Sequence, residues 1–158
     1  MLEYVRSLYR HQIWADEQLL RSVSANPAAQ EDRELRRCLD HMAAAQRFYL
    51  ARFAPGALEP ARESEPPASW EQQADAFRKV LAEELAFLET LSATALDNVF
   101  ELPRLGARFT LLEGMTQAVL HSQNHRGQCL TRLRELGSSP PTLDYILWAR
   151  DHGPRPGS

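Results

Sequence analysis

Apolar residues recur at three- and four-residue steps in four segments of the chain, which is the spacing of an amphipathic helix. The four segments cover about residues 2–24, 32–53, 69–96 and 110–136. Loops of different length separate them. The pattern therefore predicts four long helices and an all-α fold, typical of a four-helix bundle.

Capping signals mark the ends of these helices. Pro27 disfavours the helical conformation at the residue before it and should end the first helix. Asp32 suits the N-cap of the second helix, and Gly137 suits the C-terminal end of the fourth. Capping boxes predict the starts of the third and fourth helices: Ser69 with Gln72, and Thr110 with Glu113.

Two segments lack the helical period. Residues 55–68 are rich in proline and acidic side chains, which is typical of a surface loop. In residues 97–108, the spacing of Val99, Pro103 and Gly106 indicates a short extended excursion, or a loose hairpin, before the last long helix.

The C-terminal part is predicted to add little to the bundle. Pro140 and Pro141 prevent the fourth helix from continuing. Residues 143–149 contain Tyr145, Ile146 and Trp148 and should pack back as one or two helical turns. A length of 158 residues fits one ordinary domain. We therefore expect a single domain over residues 1–150 and a disordered tail over 151–158.

Composition narrows the classes of function. The net charge is −3 and the basic residues are scattered, so the chain lacks the basic stripe of a nucleic-acid-binding protein. No apolar run approaches the 18 to 20 residues that span a bilayer, and no signal peptide is expected. Cys38 and Cys129 do not form a disulfide framework, which favours a cytoplasmic location. We expect no nucleic-acid or membrane partner.

His121 and His125 lie one helical turn apart in the fourth segment, so both imidazoles project from one face. That spacing allows two ring nitrogens to reach one metal ion. The pair alone is also compatible with two histidines on a helix surface or at the edge of the core. Gly114 and Gly127 allow close helix packing. Because a helical glycine costs about 1 kcal/mol relative to alanine, a close packing contact is expected at Gly127.

Several other residues are candidates for the same site. His41 lies in the middle of the second helix and would matter as a third ligand from a neighbouring helix. Gln128 and Asp40 are candidate partners of the metal-bound imidazoles, although Asp40 is more consistent with a surface position. Arg126 fits a structural ion pair better than an anion site. Three further residues are weaker candidates for ligands: His11, Cys38 and Cys129. His152 should be exposed.

Four sequence blocks resemble the DinB/YfiT-like family. They are WAD at residues 14–16, LDHM at 39–42, HSQNHRGQ at 121–128, and a Leu-Gly turn with following prolines at 136–141. The last two are similar to the C-terminal signature of that family, and the resemblance spans nearly the whole chain. Asp16 departs from the asparagine that is common there.

The resemblance implies a four-helix bundle in which His41, His121 and His125 bind one divalent metal ion. Three histidines leave coordination positions open, which suits catalysis better than a closed structural site. Zinc or nickel is the expected metal, with iron, cobalt and manganese as alternatives. The resemblance also implies a homodimer. The family name reflects damage-inducible expression of some members and does not indicate contact with DNA.

The leading functional hypothesis is a metal-dependent enzyme that uses a low-molecular-weight thiol, either an S-transferase or an isomerase acting on small electrophiles. It follows from the resemblance and from the lack of an obvious general base in the sequence. Two alternatives stay open. One is a hydrolase that uses metal-bound hydroxide, and the other is a stress-linked metal-binding protein without catalytic activity.

Overall fold

The computed structural model describes residues 1–54 and 67–153, and this part of the chain is mainly helical. The expectation of a loop at 55–68 therefore lies almost entirely outside the described residues. The helices and strands in chain order are α1 Leu2–Ser24, α2 Pro27–Glu31, α3 Arg33–Phe53, α4 Trp70–Thr90, β1 Val99–Leu102, β2 Ala107–Thr110, α5 Leu111–Glu135 and α6 Tyr145–His152. The four long helices α1, α3, α4 and α5 pack on one another, which confirms the predicted all-helical fold.

The N-terminal caps explain where the long helices begin. The Asp32 carboxylate accepts a hydrogen bond from the Leu35 amide at the start of α3. At the start of α5, Thr110 and Glu113 form the reciprocal capping box, as predicted. Only half of the predicted box forms at α4: the Ser69 hydroxyl accepts from the Gln72 amide, but the Gln72 side chain accepts from Ala68 rather than Ser69.

The short helix α2 was not predicted. The side chain of Asn26 accepts hydrogen bonds from the amides of Ala28 and Ala29, and Pro27 occupies the first helical position. Asparagine at the N-cap and proline directly after it are favourable for starting a helix. The Asn-Pro pair therefore ends α1 and also begins the next helix.

Helix α4 is shorter than predicted. It ends at Thr90 rather than near Leu96, and a separate 3₁₀ turn covers Thr94–Asp97. The hydroxyl of Ser92 accepts a hydrogen bond from the amide of Ala95, which offers the backbone an alternative to the helix. Leu96 is still buried, so it retains the core contact that the apolar pattern indicated.

The predicted excursion is a short antiparallel hairpin formed by β1 and β2, with Val99 opposite Thr110 and Leu102 opposite Ala107. Gly106 adopts a φ of 60° in the turn, a conformation that favours glycine. The hairpin lies against α5 at Gly114. A methyl group at Gly114 would come within 2.6 Å of the Phe100 ring, so the absence of a side chain permits this contact.

The C-terminal end of α5 is closed as predicted by Gly137, whose φ is 82°. The amide of Ser138 bonds to the carbonyl of Leu133, as in a Schellman motif. Helix α6 then packs on α1, but it includes Asp151 and His152, so helical structure extends two residues beyond the predicted domain boundary. Residues 154–158 lie outside the described part.

Two apolar clusters fill the bundle and a polar layer separates them. Along α1, Val5 and Tyr9 belong to one cluster, and Leu19 belongs to the other. Gln12 and Asp16 lie between these clusters and are fully buried. The other buried polar side chains contributed by the neighbouring long helices are Gln46, Gln73, Glu84, Ser122 and Arg126. No described helix is long and apolar enough to cross a membrane.

Candidate metal centre

The pairing of α3 with α5 brings His41, His121 and His125 together on one side of the bundle. One donor atom from each residue lies within 4.8 Å of the other two. The Nε2 atoms of His41 and His121 are 3.1 Å apart. His41 is exposed, and the other two are half-buried. The three histidines are therefore positioned to bind a metal ion that remains open to solvent on one side.

The donor set fits a divalent metal. Metal–nitrogen bonds of about 2.0–2.1 Å place two donors of a tetrahedral ion roughly 3.3–3.4 Å apart, close to the 3.1 Å between His41 and His121. Neutral imidazole is a good ligand for zinc, nickel, iron and cobalt. Among the described residues, no carboxylate or thiol lies within 4.8 Å of all three donor atoms. Three imidazoles alone leave coordination positions for a further ligand.

Gln128 fixes the ring of His125. Its Oε1 atom lies 2.9 Å from Nδ1 of His125 and accepts a hydrogen bond from the protonated nitrogen. This bond selects the tautomer whose Nε2 carries the free lone pair. The structure thus brings Gln128 to the site, as predicted. Asp40 is bonded to Gln73 on α4, 2.7 Å away, and makes no hydrogen bond with His41.

Burial and neighbouring imidazoles favour the neutral forms of His41 and His121. Desolvation lowers the pKa of His41 below its usual value, and His125 lowers it further. Desolvation, followed by His125 and His41, lowers the pKa of His121. Both imidazoles are therefore mostly neutral at pH 7, the protonation state in which they bind metals.

The weaker ligand candidates lie elsewhere. Nε2 of His11 is 2.8 Å from the carbonyl of Leu143 and serves to hold the segment that precedes α6. His152 is exposed and stacks on Trp148. Cys129 is buried against Met42, with 4.0 Å between the two sulfur atoms. None of these three side chains reaches the histidine cluster.

Cys38 lies beside the site but on the far side of the His125 ring. Its sulfur is 3.9 Å from Nδ1, the nitrogen that Gln128 already occupies. The neighbouring Cys129 thiol, and then His125, lower the pKa of Cys38 to about 6. Cys38 is thus a neighbour of His125 and does not lie on the face shared by the three histidines.

Arg126 forms the structural ion pair that the sequence favoured. Its Nε donates to the Asp16 carboxylate at 2.8 Å, and both side chains are almost completely buried. Gln46 donates to the other Asp16 oxygen and to the hydroxyl of Ser122. Ser122 and Arg126 directly follow His121 and His125 in the sequence. This network therefore holds α5 in place against α1 and α3 at the position of the two histidines.

Sequence reasoning missed the polar layer as a unit. Gln12 donates to both carboxylate oxygens of Glu84 at 3.1 Å. Burial, and then the charge of Asp16, raise the pKa of Glu84 to about 8. The available signal was a glutamate at a core-facing position of the apolar stripe of α4. A buried charge at such a position needs a polar partner from another helix.

A cavity of about 420 Å³ adjoins the histidines between α3 and α5. His41, His125, Gln128 and Cys38 are among the residues that line it. Its size is within the range of small-molecule sites. The arrangement therefore combines a three-imidazole centre with space for a ligand of moderate size.

Comparison with known proteins agrees with this fold. A crystal structure of a DinB-like protein from Bacillus cereus ATCC 10987 superposes with a TM-score of 0.69 at 18% sequence identity, over 89% of this chain and 95% of that chain. At this identity the similarity concerns the fold. No curated protein matches the chain. The DinB superfamily model matches residues 32–129, a segment that contains all three histidines. This chain belongs to the DinB superfamily.

Proposed function

We propose that the protein is a divalent-metal-dependent enzyme whose ion is held by His41, His121 and His125. The observation that carries the proposal is the convergence of three imidazoles beside a cavity, with no fourth protein ligand from the described residues. Structural zinc sites usually have four protein ligands, whereas catalytic sites keep a position open. Zinc or nickel is the expected metal.

We infer that the reaction is thiol-dependent, an S-transfer or isomerisation of a small electrophile. A divalent ion bound there would lower the pKa of a coordinating thiol and supply a nucleophile at neutral pH. In support of this, no described carboxylate joins the three donor atoms as a base. A reaction that needs no side-chain base therefore suits the site.

The residues of this chain have separate roles in the proposal. Gln128 holds His125 in the tautomer that presents Nε2. The Asp16–Arg126 pair anchors α5 to α1 and so sets the position of the ligand pair. The cavity admits the thiol and the electrophile, and its Cys38 wall is half-buried rather than open to solvent.

The test supplies the metal-loaded protein first with a thiol and an electrophile and then with esters and amides. We expect conversion of the electrophile that requires both the thiol and His121, with no hydrolysis. An S-transfer consumes the thiol, whereas an isomerisation regenerates it. Replacing His152 with alanine is the matched control, because this exposed histidine lies outside the site. Hydrolysis without thiol consumption would favour a hydrolase, and no turnover by the metal-loaded protein would favour a metal-binding role without catalysis.

The homodimer is also a proposal. Closed two-fold dimers are the commonest soluble oligomers. Light scattering during size-exclusion chromatography should give about twice the 18.0 kDa mass of one chain. A mass of one chain at micromolar concentration would contradict it.

A further inference from the structure

Two charged side chains at the cavity beside the histidines have no ion-pair partner in the described ranges. Glu34 and Arg37 both line this cavity and both are exposed. Their separation of three residues on α3 would allow a mutual ion pair. Neither forms one with the other, or with any residue of 1–54 and 67–153.

Arg132 provides the contrast within the same cavity. It also lines the wall, but its guanidinium donates to Asp32 and to Glu135. Its charge is therefore already matched by two carboxylates. Among the described residues, Arg37 and Glu34 remain as one cation and one anion without an ion-pair partner.

The positions of Arg37 and Glu34 along α3 determine how far each charge lies from His41. Arg37 precedes His41 by four residues, which is about 6 Å along a helix axis. Glu34 precedes His41 by seven residues, or about 10 Å. A ligand that begins at the histidines and extends along the cavity thus meets a positive group first and a negative group second.

We propose that the cavity binds a zwitterionic thiol of roughly dipeptide size, with its sulfur towards the three histidines, a carboxylate at Arg37 and an ammonium group at Glu34. The inference rests on the proposed thiol-dependent function and names the class of thiol. The volume of about 420 Å³ accommodates a molecule of this size. The ligand supplies the two counter-charges that the described residues do not.

Three N-acyl thiols test the two contacts separately by calorimetric titration into the zinc-loaded protein. N-acetylcysteamine has neither charge, N-acetylcysteine adds the carboxylate, and N-(4-aminobutanoyl)cysteine adds the distal ammonium group. Affinity should rise along this series by about threefold to tenfold per added charge, as for a partly exposed charged hydrogen bond. Metal analysis after each titration checks that the ion has stayed on the protein.

Single substitutions show which residue is responsible for each gain in affinity. Arg37→Gln should abolish the gain between N-acetylcysteamine and N-acetylcysteine, and Glu34→Gln should abolish the gain from the ammonium group. Arg33→Gln and Glu31→Gln are matched controls, since both residues are exposed and neither lines the cavity. They should preserve both gains.

The outcomes separate this inference from the proposed function. Equal affinity for the three thiols, or gains that survive Arg37→Gln and Glu34→Gln, would overturn the zwitterion and leave the thiol-dependent function standing. If none of the thiols binds the zinc-loaded protein, the thiol-dependent function is itself refuted and the inference falls with it. If the protein does not retain zinc, the proposed metal-dependent function is refuted and the inference falls with it.

Discussion

Replacing Glu84 with glutamine should change how the stability of the protein depends on pH. Glu84 is buried in the polar layer, and burial followed by the charge of Asp16 raises its pKa from 4.5 to about 8. The folded protein therefore keeps a proton on Glu84 up to about pH 8, while the unfolded chain loses it near pH 4.5. Since the unfolded state then binds fewer protons, the free energy of unfolding falls as the pH rises through this window.

The shift sets the size of the effect. One pKa unit corresponds to about 1.4 kcal/mol, so between pH 5 and pH 7 this residue alone should reduce the free energy of unfolding by roughly 2–3 kcal/mol. Glutamine retains an oxygen that accepts from Gln12 and does not titrate. The variant should gain that stability relative to the wild type between pH 5 and pH 7.

Urea unfolding followed by circular dichroism, at pH 5, 6, 7 and 8, measures this difference. Glu89→Gln is a matched control, because Glu89 is on the same helix but exposed. The control should follow the wild type within about 0.5 kcal/mol. A constant difference between Glu84→Gln and the wild type across this pH range would refute the argument that Glu84 is protonated in the fold.

Three further predictions concern packing and ion pairs, and urea unfolding at pH 7 measures each. Gly127→Ala should stabilise the protein by about 0.5–1 kcal/mol, because a methyl group there meets nothing within 4 Å. Gly114→Ala should destabilise it by about 1–3 kcal/mol, because the methyl group would overlap the hairpin. Equal effects of the two substitutions on the free energy of unfolding would contradict this prediction. Arg126→Met should cost about 3–5 kcal/mol by leaving Asp16 buried and unpaired, and adding Asp16→Leu should recover most of it. Asp32→Ala should cost about 1–2 kcal/mol, and Asp32→Asn, which keeps the capping oxygen, should cost less.

Local chemistry explains which parts of the fold could be predicted. The long helices follow from apolar periodicity, and the capping box at Thr110 places the start of α5 correctly. The end of α4 could not be placed, because Leu91 and Leu96 continue the apolar pattern after the backbone has left the helix. The apolar pattern indicates which residues are buried, and a residue in a 3₁₀ turn can be buried as well as one in an α-helix.

At Gly127 the sequence predicted a packing contact that the structure does not contain. The cost of this glycine within a helix predicts a close contact, but a methyl group there would meet nothing within 4 Å. The expectation was correct at Gly114, where the Phe100 ring leaves no room for a side chain. The sequence identifies both glycines but not which one faces a neighbouring element, because this depends on how the hairpin docks on α5.

The candidate metal site could be predicted from the sequence only in part. The spacing of His121 and His125 places both on one face of α5, and Gln128 follows His125 by three residues on the same side. The contribution of His41 depends on the packing of α3 against α5, which no local pattern determines. Here the resemblance to the family supplied the third residue. That Glu34 and Arg37 have no ion-pair partner among the described residues could be seen only in the packed structure.

Metal binding by protein purified without a histidine tag tests the central claim most directly. Elemental analysis should find about one divalent ion per chain, and zinc or nickel at one hundred times the dissociation constant should stabilise the fold by about 2.7 kcal/mol. Alanine at His41, His121 or His125 should abolish that stabilisation, while His152→Ala should retain it. A protein without bound ion that zinc and nickel fail to stabilise, or stabilisation that survives all three substitutions, would contradict the account.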